Sequence, residues 1–299
     1  MKYSKSPLSI TDQIDKLKSR GLRFEDESKA AHYLSNIIYY RLRAYTYSFH
    51  DNSDPNHKFI KDMSFEDIIN LYIFDRRLRI LVFNAIEKIE IALRTKIVYE
   101  FSLANGSHWH EDSQMYSNNH FFNKNINSLY EEVDRSSEKF IEHYKNKYAT
   151  PVYPPAWMSL EVISMGLLSK MYGNLKNGKE KKKVAKEFGL PNPIILESWM
   201  HAFAGLRNIC AHNSRLWNRR FTIVPKIPYN TAYKFIDNIK IYDNKLYAQL
   251  CCINYITRII SPQSSFVYEL KQLLKDCDLV NCKEMGFPDN WEKEEIWNS

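Results

Sequence analysis

The sequence predicts an all-α protein, on three observations. Apolar residues recur at the 3.6-residue spacing of a helix along nearly every segment, and long alternating polar/apolar runs are missing. Only 8 of the 299 residues are glycine, against 20 tyrosines and 16 phenylalanines, which favours long regular elements over frequent turns. Helix start and stop residues stand where the period breaks.

Ser9-Ile10-Thr11-Asp12 opens a first helix holding Ile14 and Leu17, and Gly21 stands where a left-handed C-terminal cap belongs. Asp26 is expected to cap a second helix running through Tyr33, Leu34, Ile37, Ile38 and Leu42, before a polar turn at 51–56. The longest helical signal follows Ser64 and reaches about Leu103, with one break expected near Asp75. Its Val82, Ile86, Ile89, Leu93 and Ile97 recur at i, i+4, i+7, i+11 and i+15. Residues 105–127, rich in His, Asn and Ser, read as an irregular insertion, followed by a helix over about 126–148 that stops before Pro151. Helix resumes from Trp157 to near Gly173, and a basic turn over 177–183 starts another. Pro191 and Pro193 precede a helix from about Ile194 to Trp217. Phe221–Val224 reads as a short extended piece. Helices near Leu246–Ile260 and Ser265–Cys277 lead into a tail with Phe287, Trp291 and Trp297. No repeat and no long linker divides the chain, so a single unit is expected: an N-terminal helical extension (1–60), a core (61–262), and a C-terminal helix with aromatic tail (263–299).

Composition narrows the function. No apolar run approaches the roughly 18–20 residues that cross a bilayer, and the first residues lack the apolar stretch of a secretory signal. A cytoplasmic protein without membrane partners is expected. Five cysteines, an odd number at irregular spacing, read as free thiols. No second pair answers Cys277 and Cys282 at zinc-ligand spacing. A net charge of +7 gives a moderate bias toward polyanions.

The stretch Arg207-Asn208-Ile209-Cys210-Ala211-His212 carries the chemistry. On one helix, Trp199, Phe203, Leu206, Cys210 and Trp217 form an apolar face, and Asn208, His212, Arg215 and Arg219 form a polar stripe beside it. Cleaving RNA without a metal requires a group of near-neutral pKa to move a proton, which imidazole supplies. It also requires a fixed cation for the charge that builds on phosphate, which guanidinium supplies. Arg207 and His212 are those groups. Five positions separate them, roughly 140° around an ideal helix, so a second copy of the motif would complete the site. Spacing alone leaves the plainer alternative open, that His212 is merely a partly buried, hydrogen-bonded histidine.

The run Leu206-Arg207-Asn208-Ile209-Cys210-Ala211-His212-Asn213-Ser214-Arg215-Leu216-Trp217-Asn218-Arg219 closely resembles the signature of the Abi-like family, the abortive-infection proteins of the AbiD/AbiF type within the HEPN superfamily. Other stretches match in order, among them Tyr39-Tyr40-Arg41-Leu42, Leu71 through Arg79, Ile89 through Arg94, Pro155-Ala156-Trp157-Met158 and Met285-Gly286-Phe287-Pro288. The resemblance implies a HEPN-like helical bundle, usually dimeric, and a metal-independent endoribonuclease of a phage-defence or toxin–antitoxin system that needs no cofactor. It implies Arg207 and His212 as the catalytic pair, with Asn208 at the polar position after the arginine, and products ending in a 2′,3′-cyclic phosphate and a 5′-hydroxyl. Ser214 stands where members silenced by a partner nucleotidyltransferase often carry tyrosine, which argues against that control. An RNA or protein antitoxin stays open.

Around the pair, Glu87, Glu90 and Arg94 lie at i, i+3 and i+7 on the long helix, either as a structural ion pair or with Glu90 holding Arg207. Arg76, Arg77 and Arg79, and Arg41 and Arg43 with Tyr40 and Tyr45, are candidate RNA contacts together with Arg215 and Arg219. Tyrosines packing between helices while the arginines face water is the plainer account of them. His108 and His110 raise a metal-dependent nuclease as a further alternative, though no standard ligand pattern surrounds them. A non-catalytic HEPN RNA-binding or scaffold protein is the other.

Overall fold

The computed structural model describes residues 2, 6–51, 53–237 and 241–298. The expectations placed on the first residues and on position 52 of the 51–56 turn therefore fall partly outside the described residues. Among the described residues the chain is all-α, with twelve α-helices and one pair of two-residue parallel strands, β1 (Leu22–Arg23) and β2 (Met63–Ser64). Among them no helix is long and apolar enough to cross a membrane. Contacts gather the chain into two compact units, Met1–Leu78 with Lys271–Asn281, and Arg79–Leu270 with Cys282–Ser299.

In the first unit, α1 (Ile10–Ser19) begins with the expected capping box, in which Ser9 and Asp12 satisfy each other's backbone N–H groups. Gly21 follows at φ 93°, a conformation that costs glycine nothing. Asp26 caps α2 (Glu27–Asn36) by accepting from the Lys29 N–H. The helix expected to continue through Leu42 is instead two. Ile37 is extended at the break (φ −126°, ψ 103°), where two successive β-branched side chains disfavour the helix, and α3 (Tyr39–Thr46) starts afresh. Helix α4 (Phe65–Asn105) gives residues 65–78 to this unit and the remainder to the second. It does not break at Asp75, whose buried carboxylate accepts a 2.6 Å hydrogen bond from the Tyr45 hydroxyl.

In the second unit, the 79–105 part of α4 buries Val82, Ile86, Ile89, Leu93, Ile97 and Phe101 along the expected stripe. There follow α5 (Asn119–Asp134), α6 (Lys139–Lys147), α7 (Ala156–Ser159), α8 (Met165–Asn174), α9 (Lys179–Glu187), α10 (Pro193–Ala211) and α11 (Leu246–Ile260). Helix α12 (Phe266–Lys275) contributes to both units. The irregular insertion is shorter than expected, because the Asn118 side chain caps α5 by accepting from the Phe121 N–H. The helix expected over 126–148 is interrupted between Asp134 and Lys139, and that expected over 157–173 between Ser159 and Met165. Phe221–Val224 forms no strand.

Helix α10 is central to this unit, packing against α8, α9 and α11, while α5 packs on α8. Trp199, Phe203 and Leu206 of α10 are buried, with Trp199 edge-on to Tyr255 of α11 at 5.7 Å. Lys181 of α9 is also buried, its ammonium held by Glu197 of α10 (2.8 Å) and the Leu175 carbonyl (2.7 Å). Burial pulls its pKa down while Glu197 pulls it up. The tail packs Phe287, Trp291 and Trp297 around Tyr247. The five cysteines are free thiols.

Candidate functional site

Helix α10 starts at a good cap, the Asn192 side chain accepting from the Ile195 N–H, with Pro193 in the first turn. Its apolar residues bury one side. The residues left exposed at helical intervals on the other are Ile194, His201, Asn208, Ala211 and His212. Asn208 and His212 thus share one face of the last turns, as expected. His201, seven residues before Asn208, joins them. The same spacing argument would have found it.

The helix ends earlier than Trp217. Asn213 adopts φ 54°, its N–H bonding the Cys210 carbonyl (3.1 Å) and the Ser214 N–H bonding the Ile209 carbonyl (3.0 Å). This is a Schellman motif, and asparagine is one of the few residues besides glycine that fills its left-handed position cheaply. His212 is consequently the C-cap residue, its N–H still bonded to the Asn208 carbonyl at 3.0 Å. The motif Arg207–His212 is the final turn of a helix with a fixed stop.

The stripe of Asn208, His212, Arg215 and Arg219 is therefore not a helix face. Beyond Asn213 the chain folds into a turn anchored by buried Leu216 and Trp217, with a second left-handed residue, Asn218 at φ 45°. Arg215 holds this turn together. Its Nη1 donates to the carbonyls of Trp217 (2.9 Å) and Asn218 (3.1 Å), and its guanidinium lies 5.7 Å over the Trp217 ring. Arg219 in turn donates to the Arg215 carbonyl at 3.1 Å. Trp217 reaches the core from this turn rather than from α10.

Arg207 is half-buried, and its guanidinium lies 5.7 Å over the Phe83 ring of α4. It makes no hydrogen bond or ion pair with any described residue. A guanidinium steadied on one face by an aromatic ring, with its N–H edge unspent, is poised to receive an anion. His212 and Asn208 are exposed, and their side chains likewise have no hydrogen-bond partner among the described residues.

Glu90 does not hold Arg207. Its carboxylate binds Arg94 at 2.9 Å in a largely buried pair, and Arg94 also donates to the Ile163 carbonyl at 3.0 Å. Glu87 is exposed one turn after Phe83, on the face of α4 that carries the Arg207 contact. Phe83 had no signature in the sequence, because its role exists only through a contact between helices.

The other expected contacts scatter. Arg79 is buried, which removes it from any surface groove. Arg77 pairs with Asp276 at 3.0 Å, Arg76 is exposed, Arg41 is half-buried and Tyr40 is exposed. His108 bonds the Ser107 hydroxyl and the Tyr153 carbonyl through its two ring nitrogens. His110 is fully buried, and burial lowers its pKa to about 3. No three His, Cys, Asp or Glu side chains among the described residues gather as a metal site.

Residues 32–218, well over half the chain, match the model of the family described as Abi-like protein. The chain belongs to the Abi-like family. The match ends within the turn that closes α10, so it takes in Arg207, Asn208, His212 and Phe83. No curated protein and no solved structure matches the Abi-like chain.

Proposed function

We propose that this Abi-like protein is a metal-independent endoribonuclease of the HEPN type that acts in abortive infection or as a toxin, with Arg207 and His212 as its catalytic pair. The observation that carries the reading is the last turn of α10, where an unpaired guanidinium stacked on Phe83 and an unpaired imidazole occur within six residues. His212 moves the proton between the 2′-hydroxyl and the leaving 5′-oxygen. Arg207 stabilises the charge on the phosphate as the 2′-oxygen attacks and a 2′,3′-cyclic phosphate forms. Asn208, exposed on the face of His212, orients the substrate.

A second copy completes the site in this reading, because Arg207 and His212 leave the helix roughly 140° apart. The exposed face of α4 within the same unit supports it. Ile80, Ile91, Tyr99 and Leu103 are between 46% and 72% exposed on that helix, apolar surface of the sort that self-association covers. The cytoplasm and an RNA or protein antitoxin belong to the same proposal.

The chemistry has its own test. RNA carrying 2′-O-methyl groups throughout lacks the nucleophile, so it should resist cleavage, while ordinary RNA yields cyclic-phosphate ends. Cleavage of the methylated strand would exclude attack by the 2′-hydroxyl. Light scattering after gel filtration should show a dimer, and an active strict monomer would refute the shared site.

A further inference from the structure

The first unit contains a cleft of about 1030 Å3 between α1, α3, the 55–58 turn and Ser6–Leu8. Lys16, Arg20, Arg43 and Lys58 line it, together with His57, and no carboxylate among the described residues does. None of the four Lys and Arg side chains has an ion-pair partner among the described residues. Other cations of this unit do find one: Lys18 with Glu27 at 2.8 Å, Arg23 with Asp62 at 2.6 Å, and Arg77 with Asp276 at 3.0 Å. Four cations without an ion-pair partner thus line one cleft, although Lys29, Lys61, Arg76 and Lys275 of this unit also have none among the described residues.

Aromatic rings stand among these cations. Tyr40 is 61% exposed, with Tyr39 edge-on at 6.2 Å and the Arg43 guanidinium 5.9 Å over its ring. Arg20 donates to the Tyr39 hydroxyl at 2.9 Å. His50 stands beside the same cations. It is buried with Nε2 unbonded, and its pKa falls to about 4, first through burial and then through Arg20, His57 and Arg43.

We propose that this cleft binds single-stranded RNA, with Tyr40 and Arg43 as a stacking platform for an unpaired base and Lys16, Arg20 and Lys58 as contacts to the flanking phosphates. A base paired in a duplex presents no free face to Tyr40, so the cleft selects unpaired strands. A concave site around a projecting ring also suits a nucleotide better than the flat charge of a membrane. The inference takes RNA as the polymer from the function proposed above, but it requires no cleavage. It assigns RNA capture to a unit that lacks the Arg207–His212 motif.

The test is fluorescence anisotropy in EDTA with a labelled 20-nucleotide single strand and its duplex. The full-length chain carries His212→Ala, so that the probe stays intact. Tyr40→Ala should weaken single-strand binding roughly 5- to 150-fold, the value of one stacked base. Lys16→Gln with Lys58→Gln should weaken binding and lower the slope of log affinity against log salt by about 1.4, from two phosphate contacts at roughly 0.7 each. Circular dichroism melting checks the fold of each variant, and the substituted side chains are exposed or half-buried. Unchanged affinity and slope in both variants would overturn the proposal. So would absence of RNA binding by the parent, or binding of phosphatidylserine vesicles in its place. If the cleft variants lose RNA but the chain with His212 never cleaves it, the capture site stands and the nuclease reading fails. Cleavage with unaltered binding in the cleft variants gives the reverse.

Discussion

His212 and Arg207 differ in what their loss should cost. His212 is exposed and without a partner among the described residues, so His212→Ala should leave stability within about 0.5 kcal/mol of the parent. It should lower the cleavage rate by roughly 10²–10⁴, the usual contribution of a positioned acid–base group. Arg207→Ala removes the stacking on Phe83 as well as the phosphate contact, which adds about 0.5–1 kcal/mol of destabilisation. Arg207→Lys keeps the charge and loses the planar fork, so its rate should stay well below the parent's. Thermal melts beside single-turnover cleavage separate the two effects. An Arg207→Lys variant with full activity would show that charge alone is used.

The helix end is a device that places the site. Asn213 holds the left-handed position of the Schellman motif, so Asn213→Val should cost about 1–2 kcal/mol, and Asn213→Gly should be close to neutral. If the stop orients His212, Asn213→Val should lose more activity than its melting shift explains, whereas equal losses would make the motif merely structural. Deeper in the same unit, Lys181→Met would strand the partly exposed Glu197 carboxylate and the Leu175 carbonyl, costing about 3 kcal/mol by denaturant titration. A loss under about 0.5 kcal/mol would show that solvent already screens the pair. These elements were unequally legible from sequence. The α4 stripe and α11 emerged where expected because their apolar faces are long and regular. The end of α2, the start of α5 and the end of α10 did not, because extended Ile37, the Asn118 cap and left-handed Asn213 outweighed the period. Asn213 and Asn118 carried readable signals, whereas the Phe83–Arg207 contact and the Arg215 clamp arise only on folding.

Across the whole molecule, two buried histidines predict acid sensitivity. His50 in the first unit and His110 in the second have folded pKa values of about 4 and about 3, below the ordinary 6.5, chiefly through burial. The unfolded chain therefore binds more protons below pH 6.5, so this part of the stability is whole above that pH and is lost as pH falls toward 4. Melting temperature should drop through that window, and His110→Leu should flatten the fall. An unaltered pH profile in that variant would mean that the imidazole reaches solvent in the folded protein. The most direct measurement of the central claim is RNA cleavage in excess EDTA by the parent, Arg207→Ala and His212→Ala. The predicted result is cleavage by the parent and its loss in both variants, with folding retained. EDTA-resistant cleavage that survives both substitutions would contradict it.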